Sequence, residues 1–296
     1  MENENTAVAL GAFDGLHPGH AAVIKEAVQK KKEGLVPSIL TFTENPSKIL
    51  TGKTAYLLAE EDKNAILREW GVERIFALDF SVVRELSPEE FFRKILLERC
   101  RAKTVVSGEN FHFGKDARGD VVLLRQLCTQ NGVEFIAVPP CTFLGAAISS
   151  TRIRAALGEG NIGLANQLLG RRFGFAFTVV EGNRIGRTLG TPTINQQLPQ
   201  GFVKPKFGVY ASLVTVDGRT LCGVTNIGVK PTVGKYDPLS ETWIPDFYQD
   251  MYGQNIRVEL LAFIRSEKKF DSLQKLCEEI RENAEKAREI CAPYLK

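Results

Sequence analysis

Residues 6–20 read TAVALGAFDGLHPGH. The first eight of these, TAVALGAF over 6–13, form an apolar run of the length and β-branched content of a short buried strand. Glycines then interrupt the run, and the spacing from His20 to about Lys32 predicts a helix. A strand that passes through glycines into a helix presents unpaired backbone N–H groups and the positive end of a helix dipole, and both attract anions. Glycine lets the backbone come close to such a ligand. Pro18 and Gly19 set a tight turn between His17 and His20, so two imidazoles three positions apart can reach one phosphorylated group. There they can donate hydrogen bonds to oxygens that gain charge during transfer. Two surface histidines flanking a Pro-Gly turn would be the plainer reading of H-x-G-H by itself; the strand–turn–helix setting argues for the anion site.

The same alternation continues outward. Strand-like segments at 36–42 (VPSILTF), 73–79, 103–107 (KTVVS) and 133–138 alternate with helical ones at 60–70, from Pro88 to about Arg101, and at 120–131. Pro88 suits a first helical turn, where its missing N–H has no partner to lose. Strand–helix alternation predicts a parallel sheet with helices on both faces. Ligands of such sheets sit beyond the carboxyl ends of the strands, which brings the loops after residues 10, 42 and 107 together. Near residue 170 the pattern changes. Segments 172–181, 207–216, 219–229, 240–247 and 255–264 are β-rich with no helix between them, and Asp217-Gly218 is a strong hairpin signal. Several strands in succession predict a closed or partly closed antiparallel barrel. A charged amphipathic helix over 271–292 ends the chain. The expected division is 1–170 and 171–296.

Composition narrows the function classes. The chain has 296 residues, 44% hydrophobic and 25% charged, with a net charge of +3. Acidic and basic residues nearly balance in the N-terminal half, and the C-terminal half is only slightly basic, so the strong basic bias of a nucleic-acid binder is missing. The six cysteines, Cys100, Cys128, Cys141, Cys222, Cys277 and Cys291, include no C-x-x-C pair, and there are three histidines. A zinc site is not expected, and reduced thiols are. No apolar run approaches the ~20 residues of a membrane span, and the polar N-terminus carries no secretory pattern. A cytoplasmic location is expected by elimination. Gly52-Lys53-Thr54 has the ending of a P-loop, but Ser47 stands where its first glycine belongs, and it reads as loop.

The His17-Pro18-Gly19-His20 segment resembles the H-x-G-H motif of the nucleotidylyltransferase superfamily. Its partner motif, I-S-S-T-x-x-R, is matched by Ile148-Ser149-Ser150-Thr151-Arg152-Ile153-Arg154 at a predicted helix start. Alone, that stretch would be an ordinary Ser/Thr helix cap; hydroxyls there with an arginine one turn on can also hold phosphates. The longer form, Gly11 through His20, is similar to that of bacterial bifunctional riboflavin kinase/FAD synthetases, as is Gly108-Glu109-Asn110-Phe111-His112-Phe113-Gly114-Lys115 followed by Arg118-Gly119-Asp120. The resemblance implies a nucleotidylyltransferase-type, doubly wound α/β sheet. It implies ATP contacts from Gly11, Phe13, Asp14, Gly15, His17, His20, Ser149, Ser150, Thr151 and Arg154, and flavin contacts from Phe42, Asn110, Phe111 and Phe113. One departure stands out: where the family has Thr-Phe-Asp-Pro-His-Pro, this chain has Thr41-Phe42-Thr43-Glu44-Asn45-Pro46.

In the second half, Arg184-Ile185-Gly186-Arg187-Thr188-Leu189-Gly190-Thr191-Pro192-Thr193-Ile194-Asn195 places a hydroxyl and an amide, Thr193 and Asn195, where both can offer oxygen to Mg²⁺. By itself P-T-x-N would read as a turn. The segment resembles the G-x-P-T-x-N motif of riboflavin kinases, and the likeness runs through Gly208-Val209-Tyr210, Asn226 to Thr232, Asp246-Phe247 and Tyr252-Gly253. It implies a six-stranded antiparallel barrel with a terminal helix. It also implies that Glu241 is the general base on the riboflavin 5′-hydroxyl, a role suited to a carboxylate. Trp243 stands where the family often has His, Thr191 where it has an aromatic, and Ile194 where alanine is common. The implied reactions are phosphorylation of riboflavin to FMN and adenylylation of FMN to FAD, with ATP as co-substrate and Mg²⁺ as metal. No nucleic-acid or membrane partner is expected. Two rivals remain at this level: a paralogue with one of the two activities, and a non-catalytic flavin- or nucleotide-binding regulator.

Overall fold

The computed structural model describes residues 4–44, 49, 55–182, 190–229 and 238–295. Asn45-Pro46, the Gly52-Lys53-Thr54 segment, Arg184–Leu189 and Lys230–Thr232 lie outside them. Contacts divide the chain into two units: 1–56 with 60–150, and 57–59 with 151–296.

The first unit is built on five parallel strands, β1 (Thr6–Leu10), β2 (Val36–Phe42), β3 (Arg74–Leu78), β4 (Ala102–Gly108) and β5 (Glu134–Val138), in the order β3-β2-β1-β4-β5. Every residue of β1 is buried, which is why its sequence is a continuous apolar run rather than an alternation. Helix α1 (Pro18–Gln29) buries Val23, Ile24 and Ala27 against the sheet. On the opposite face Val8, Leu10, Leu40 and Val105 join Phe91, Phe92, Leu96 and Leu124 in one core. Helix α2 (Glu60–Glu69) makes the crossover from β2 to β3. The helix expected from Pro88 starts there under a reciprocal cap: Glu90 N–H donates to Ser87 Oγ at 3.1 Å, and Ser87 N–H to Glu90 Oε2 at 3.1 Å. It then continues through Phe91–Arg99 as a π-helix. Helix α4 (Val121–Gln130) follows, the Pro88 helix counting as α3, and Asp120 caps it through Leu123 N–H at 2.9 Å.

The strand order reverses between β1 and β4. The loops after Leu10 and after Gly108 therefore face one crevice, the position where ligands of doubly wound sheets bind. A two-stranded flap, β6 (Thr142–Phe143) and β7 (Ala146–Ala147), was not legible in the sequence.

Helix α5 (Ser150–Glu159) starts on Ser150, the last residue of the first unit; the rest of it and α6 (Ile162–Leu169) belong to the second, where they precede a closed barrel of six antiparallel strands. These are β8 (Gly174–Val180), β9 (Thr193–Gln197), β10 (Gly208–Val216), β11 (Arg219–Val229), β12 (Pro238–Trp243) and β13 (Asn255–Arg265), in the order β10-β11-β12-β9-β8-β13. The Asp217-Gly218 turn closes the β10–β11 hairpin with φ of 47° and 74°, the left-handed pair that a two-residue turn requires. The Pro-Thr-Ile-Asn stretch is a correction to the sequence reading. From Thr193 onward it is strand β9 and not a loop, because β8 and β12 pair with it from either side.

Some polar side chains inside the barrel tie strands together. Ser212, Thr225 and Thr242 form a buried hydroxyl chain at 2.7 and 2.8 Å. Gln196 donates to the carbonyls of Phe177 and Ile256, both at 2.7 Å. Outside, α7 (Leu273–Cys291) covers Val209, Ala211 and Leu213 with Ala284, Ala287 and Cys291.

Leu96 is fully buried in the core under β1 and β4. Leu96→Ala is expected to cost the first unit about 2–5 kcal/mol. The loss will be read as a matching fall in amide-exchange protection of β1 and β4, with the barrel strands unchanged.

Candidate functional sites

Three backbone positions in the loop after β1, Phe13, Gly15 and Leu16, have positive φ of 49°, 84° and 44°. Left-handed residues alternating with ordinary ones turn successive peptide N–H groups into one concavity, which suits an anion. Two of the three are not glycine, so the conformation costs about 1–2 kcal/mol at each and requires fixing from elsewhere. That fixing is visible on the carbonyl side. Thr41 Oγ1 donates to Ala12 O at 3.0 Å, Lys63 Nζ donates to the same oxygen at 3.2 Å, and Ser150 Oγ donates to Asp14 O at 2.7 Å. His17 O accepts from the N–H groups of His20 and Ala21 at 2.8 and 3.0 Å.

His17 caps α1 in an extended conformation, with Pro18 in the first helical position. Its ring is stacked on that of His20, centroids 3.7 Å apart, and Phe13 meets His20 edge-on at 5.4 Å. His17 is only 6% exposed. A Cβ on Gly19 would lie 3.2 Å from the His17 ring, so glycine there leaves room for the imidazole. The structure thus brings His17, His20, Phe13, Asp14 and Ser150 around one loop. Ser149 precedes Ser150, and Thr151 and Arg154 continue along α5.

Phe42 and Phe111 are partly buried. Phe42 meets Phe80 edge-on at 5.3 Å, and Phe111 is stacked on Phe113 at 5.9 Å. Phe113 is a core side chain, 6% exposed and pressed against Phe91. Asn110 is exposed at the end of β4. Thr43, where the family has aspartate, donates its N–H to Leu78 O at 2.9 Å and so extends the β2–β3 pairing.

Sequence reasoning missed Lys63. It follows Glu60, Glu61 and Asp62 in the first turn of α2, which looks like a solvated charge run. Its position relative to Leu67, four residues on and fully buried, was the available signal: both lie on the inward face of the helix. Lys63 also donates to Thr41 Oγ1 at 3.2 Å. Burial pulls its ammonium below the usual lysine range, against the opposing charges of Asp14 and Glu60.

In the barrel, Glu241 on β12 is the register partner of Asn195 on β9 and of Asn226 on β11, and Trp243 of Thr193. Directly paired residues of antiparallel strands share a face, so Thr193, Asn195 and Glu241 lie together. Asn195 is 5% exposed. Its Nδ2 reaches Thr193 O at 3.4 Å, and its Oδ1 has no hydrogen-bond partner among the described residues. A Cβ on Gly182 would lie 2.5 Å from Asn195 Nδ2, so glycine is required where the chain leaves β8. A buried amide oxygen without a donor, beside a hydroxyl and facing a carboxylate, is a hard-oxygen set that fits Mg²⁺.

Next to it a cavity of about 440 Å³ is lined by Pro192, Thr193, Thr242, Phe247, Tyr248 and Met251, among others. Its aromatic wall was not assigned a role from the sequence. Trp243 packs against the cluster beneath α7, which accounts for an indole at the position where the family often has imidazole. No group of three or more His, Cys, Asp or Glu side chains that could hold a metal occurs among the described residues.

The FAD synthetase family model matches residues 1–152, and the riboflavin kinase model matches 169–291. Proteins named bifunctional riboflavin kinase/FMN adenylyltransferase are similar over almost the whole chain. The one from Listeria monocytogenes is 35% identical, covering 97% of this chain and 93% of its own length. That from Pseudomonas fluorescens is 36% identical, covering 99% and 95%, and that from Escherichia coli K12 is 33% identical, covering 97% and 93%. A crystal structure named as a macrolide-efflux protein from Streptococcus pneumoniae superposes with a TM-score of 0.87 at 32% identity, covering 97% of this chain and 94% of that one. No helix among the described residues is long and apolar enough to cross a membrane.

Ser150→Ala removes the hydroxyl that holds Asp14 O. It is expected to loosen the loop by about 0.5–1.5 kcal/mol, seen as faster amide exchange over residues 14–17 with β2 and β3 unaffected.

Proposed function

The chain belongs to the bifunctional riboflavin kinase/FMN adenylyltransferase family and serves flavin-cofactor synthesis, and from that premise we propose how its two sites divide the work. Residues 171–296 phosphorylate riboflavin, and residues 1–170 adenylylate the resulting FMN. The observation that carries the first assignment is Asn195, whose buried amide oxygen has no donor among the described residues and which is paired across the sheet with Glu241.

In the barrel, Thr193 and Asn195 would hold Mg²⁺ through their side-chain oxygens. The metal supplies charge neutralisation on the phosphates of ATP when bound. The Glu241 carboxylate takes the proton of the riboflavin 5′-hydroxyl, whose oxygen attacks the γ-phosphorus, and ADP leaves. The flavin ring has a fitting wall in Phe247, Tyr248 and Met251.

In the α/β unit an FMN phosphate oxygen attacks the α-phosphorus of a second ATP, and pyrophosphate leaves. Little covalent help is needed; positioning and charge suffice. The loop Gly11–Gly15 offers its concave backbone to the triphosphate. His17 and His20 donate to the oxygens that gain charge, and Ser149, Ser150, Thr151 and Arg154 complete the phosphate contacts. Phe42, Asn110 and Phe111 meet the flavin, and Phe113 acts from the core by supporting the Phe111 ring. All six cysteines are free thiols, which supports a cytoplasmic location.

Matches to both family models favour the two-activity reading over a single-activity paralogue. The retained Glu241, His17 and His20 favour an enzyme over a binding regulator, since a binder needs no general base.

Purified protein with riboflavin, ATP and Mg²⁺, followed by product chromatography, is the direct test: FMN forms first, then FAD. Glu241→Gln is expected to lower FMN formation by about 10²–10⁴-fold while FMN supplied directly is still converted to FAD. Equal loss of both steps would contradict the separation of sites. Asn195→Ala is expected to raise the Mg²⁺ concentration needed for half-maximal FMN formation, leaving the requirement of the FAD step unchanged.

A further inference from the structure

Lys63 is not among the residues that the H-x-G-H, S-S-T or glycine-rich motifs contain, yet its side chain is built into the loop those motifs define. From α2 it crosses to β1 and β2. One N–H reaches the Ala12 carbonyl and another the Thr41 hydroxyl, each at 3.2 Å, and Thr41 itself donates to Ala12 O at 3.0 Å. Lys63, Thr41 and Ala12 thus form a closed triangle of hydrogen bonds that joins the nucleotide loop to the end of β2, where Phe42 begins the flavin segment.

The two oxygens that accept from the ammonium, on Ala12 and Thr41, are neutral, and the carboxylates whose charge acts on it are Asp14 and Glu60. A partly buried cation so placed costs desolvation energy that its present partners do not return in full. Thr41 Oγ1 alone, whose hydroxyl reaches the same carbonyl, would already hold Ala12. Asp14 and Glu60 return part of that cost, and Asp14 shows what the rest is for. A carboxylate in a loop that receives a triphosphate opposes its own ligand, unless a neighbouring cation offsets it.

We propose that Lys63 is a positioning residue of the adenylyl-transfer site, which fixes the Ala12–Thr41 contact and brings the positive charge that lets ATP and the FMN phosphate meet beside Asp14. The proposal rests on the assignment of FMN adenylylation to this unit. In the reaction itself the bond from the FMN phosphate oxygen to the α-phosphorus forms and the bond to pyrophosphate breaks. Lys63 stays protonated throughout and exchanges no proton with either substrate.

The charged groups around the ammonium are Asp14 from the β1 loop and Glu60 from its own helix, while β2 presents the neutral Thr41. Burial outweighs these carboxylates and lowers the lysine's affinity for its proton. The cationic form is present at low pH and lost as pH rises through a value below 10.5, so FAD formation acquires an alkaline limb there. Arginine keeps its charge across that range.

The test compares wild type, Lys63→Met and Lys63→Arg as full-length chains. Riboflavin phosphorylation is assayed on the same preparations, and thermal unfolding and amide exchange check the first unit. Lys63→Met is expected to form FAD from FMN about 10²-fold more slowly or worse, with riboflavin phosphorylation unchanged. Lys63→Arg is expected to recover part of the rate and to hold it to higher pH than wild type. FAD formation by Lys63→Met within twofold of wild type overturns the proposal. So does an arginine variant that keeps the wild-type alkaline limb. A wild-type chain that makes FMN but no FAD removes the parent assignment, and the role of Lys63 falls with it.

Discussion

The site in the α/β unit depends on how the carbonyl oxygens of the β1–α1 loop are held. A loop with left-handed Phe13 and Leu16 is unfavourable in isolation, and every buried carbonyl in it needs a donor. Each donor comes from a different element: Thr41 from β2, Lys63 from α2, Ser150 from the start of α5, and the first turn of α1 for His17. The chain therefore fixes the acceptor side of the loop from within the protein. The donor side can then serve a ligand, because the backbone conformation is already set and binding does not have to create it. Pre-organisation of this kind removes ordering costs from the bound state.

The same logic runs with opposite sign in the barrel. There the strand ladder settles the backbone, and the group of the site left without a partner among the described residues is an acceptor, Asn195 Oδ1. Register decides its surroundings. Because β9 pairs with β12, Asn195 must stand opposite Glu241 and Thr193 opposite Trp243. A shift of one residue would move Thr193 and Asn195 to the interior face, where Gln196 now clamps β8 and β13. Gln196 therefore locks the register and, in the same act, keeps its two neighbours outside. One site is a loop held by converging side chains. The other is a pair of strand residues held by the sheet.

Much of this was legible in the sequence because the signals were local. The buried run before Gly11, the Asp217-Gly218 turn and the Pro88 helix start are each set by a few adjacent residues. What escaped was set by distant partners. Pro192 to Asn195 looks like a turn until β8 and β12 flank it. Lys63 looks solvated beside three acids until the inward face of α2 is traced through Leu67. Helix α6 had its signals, an Asn161 cap on Leu164 at 3.1 Å and left-handed Gly170, but its eight residues are too few for periodicity to announce. The π-helical stretch at Phe91–Arg99 has no local signature at all. Its buried aromatics, Phe91 and Phe92, answer to the core they enter.

The departures from the family pattern follow the same division. Trp243 and Thr43 stand where the family has ionisable side chains, and each replacement contributes to the fold instead. Trp243 packs against the cluster under α7, and the Thr43 hydroxyl donates to Leu78 O at 3.4 Å, beside the backbone bond to the same oxygen. Neither position supplies the constraints that hold the two sites, the Asn195–Glu241 register and the carbonyl ties of the β1 loop. Chemistry at a site survives substitution where the lost group supplied charge that other residues can provide. It does not survive where the lost group held the backbone. By that criterion Thr41, whose hydroxyl serves both Ala12 and Lys63, is less replaceable than the ionisable residues the family carries after it in the same segment.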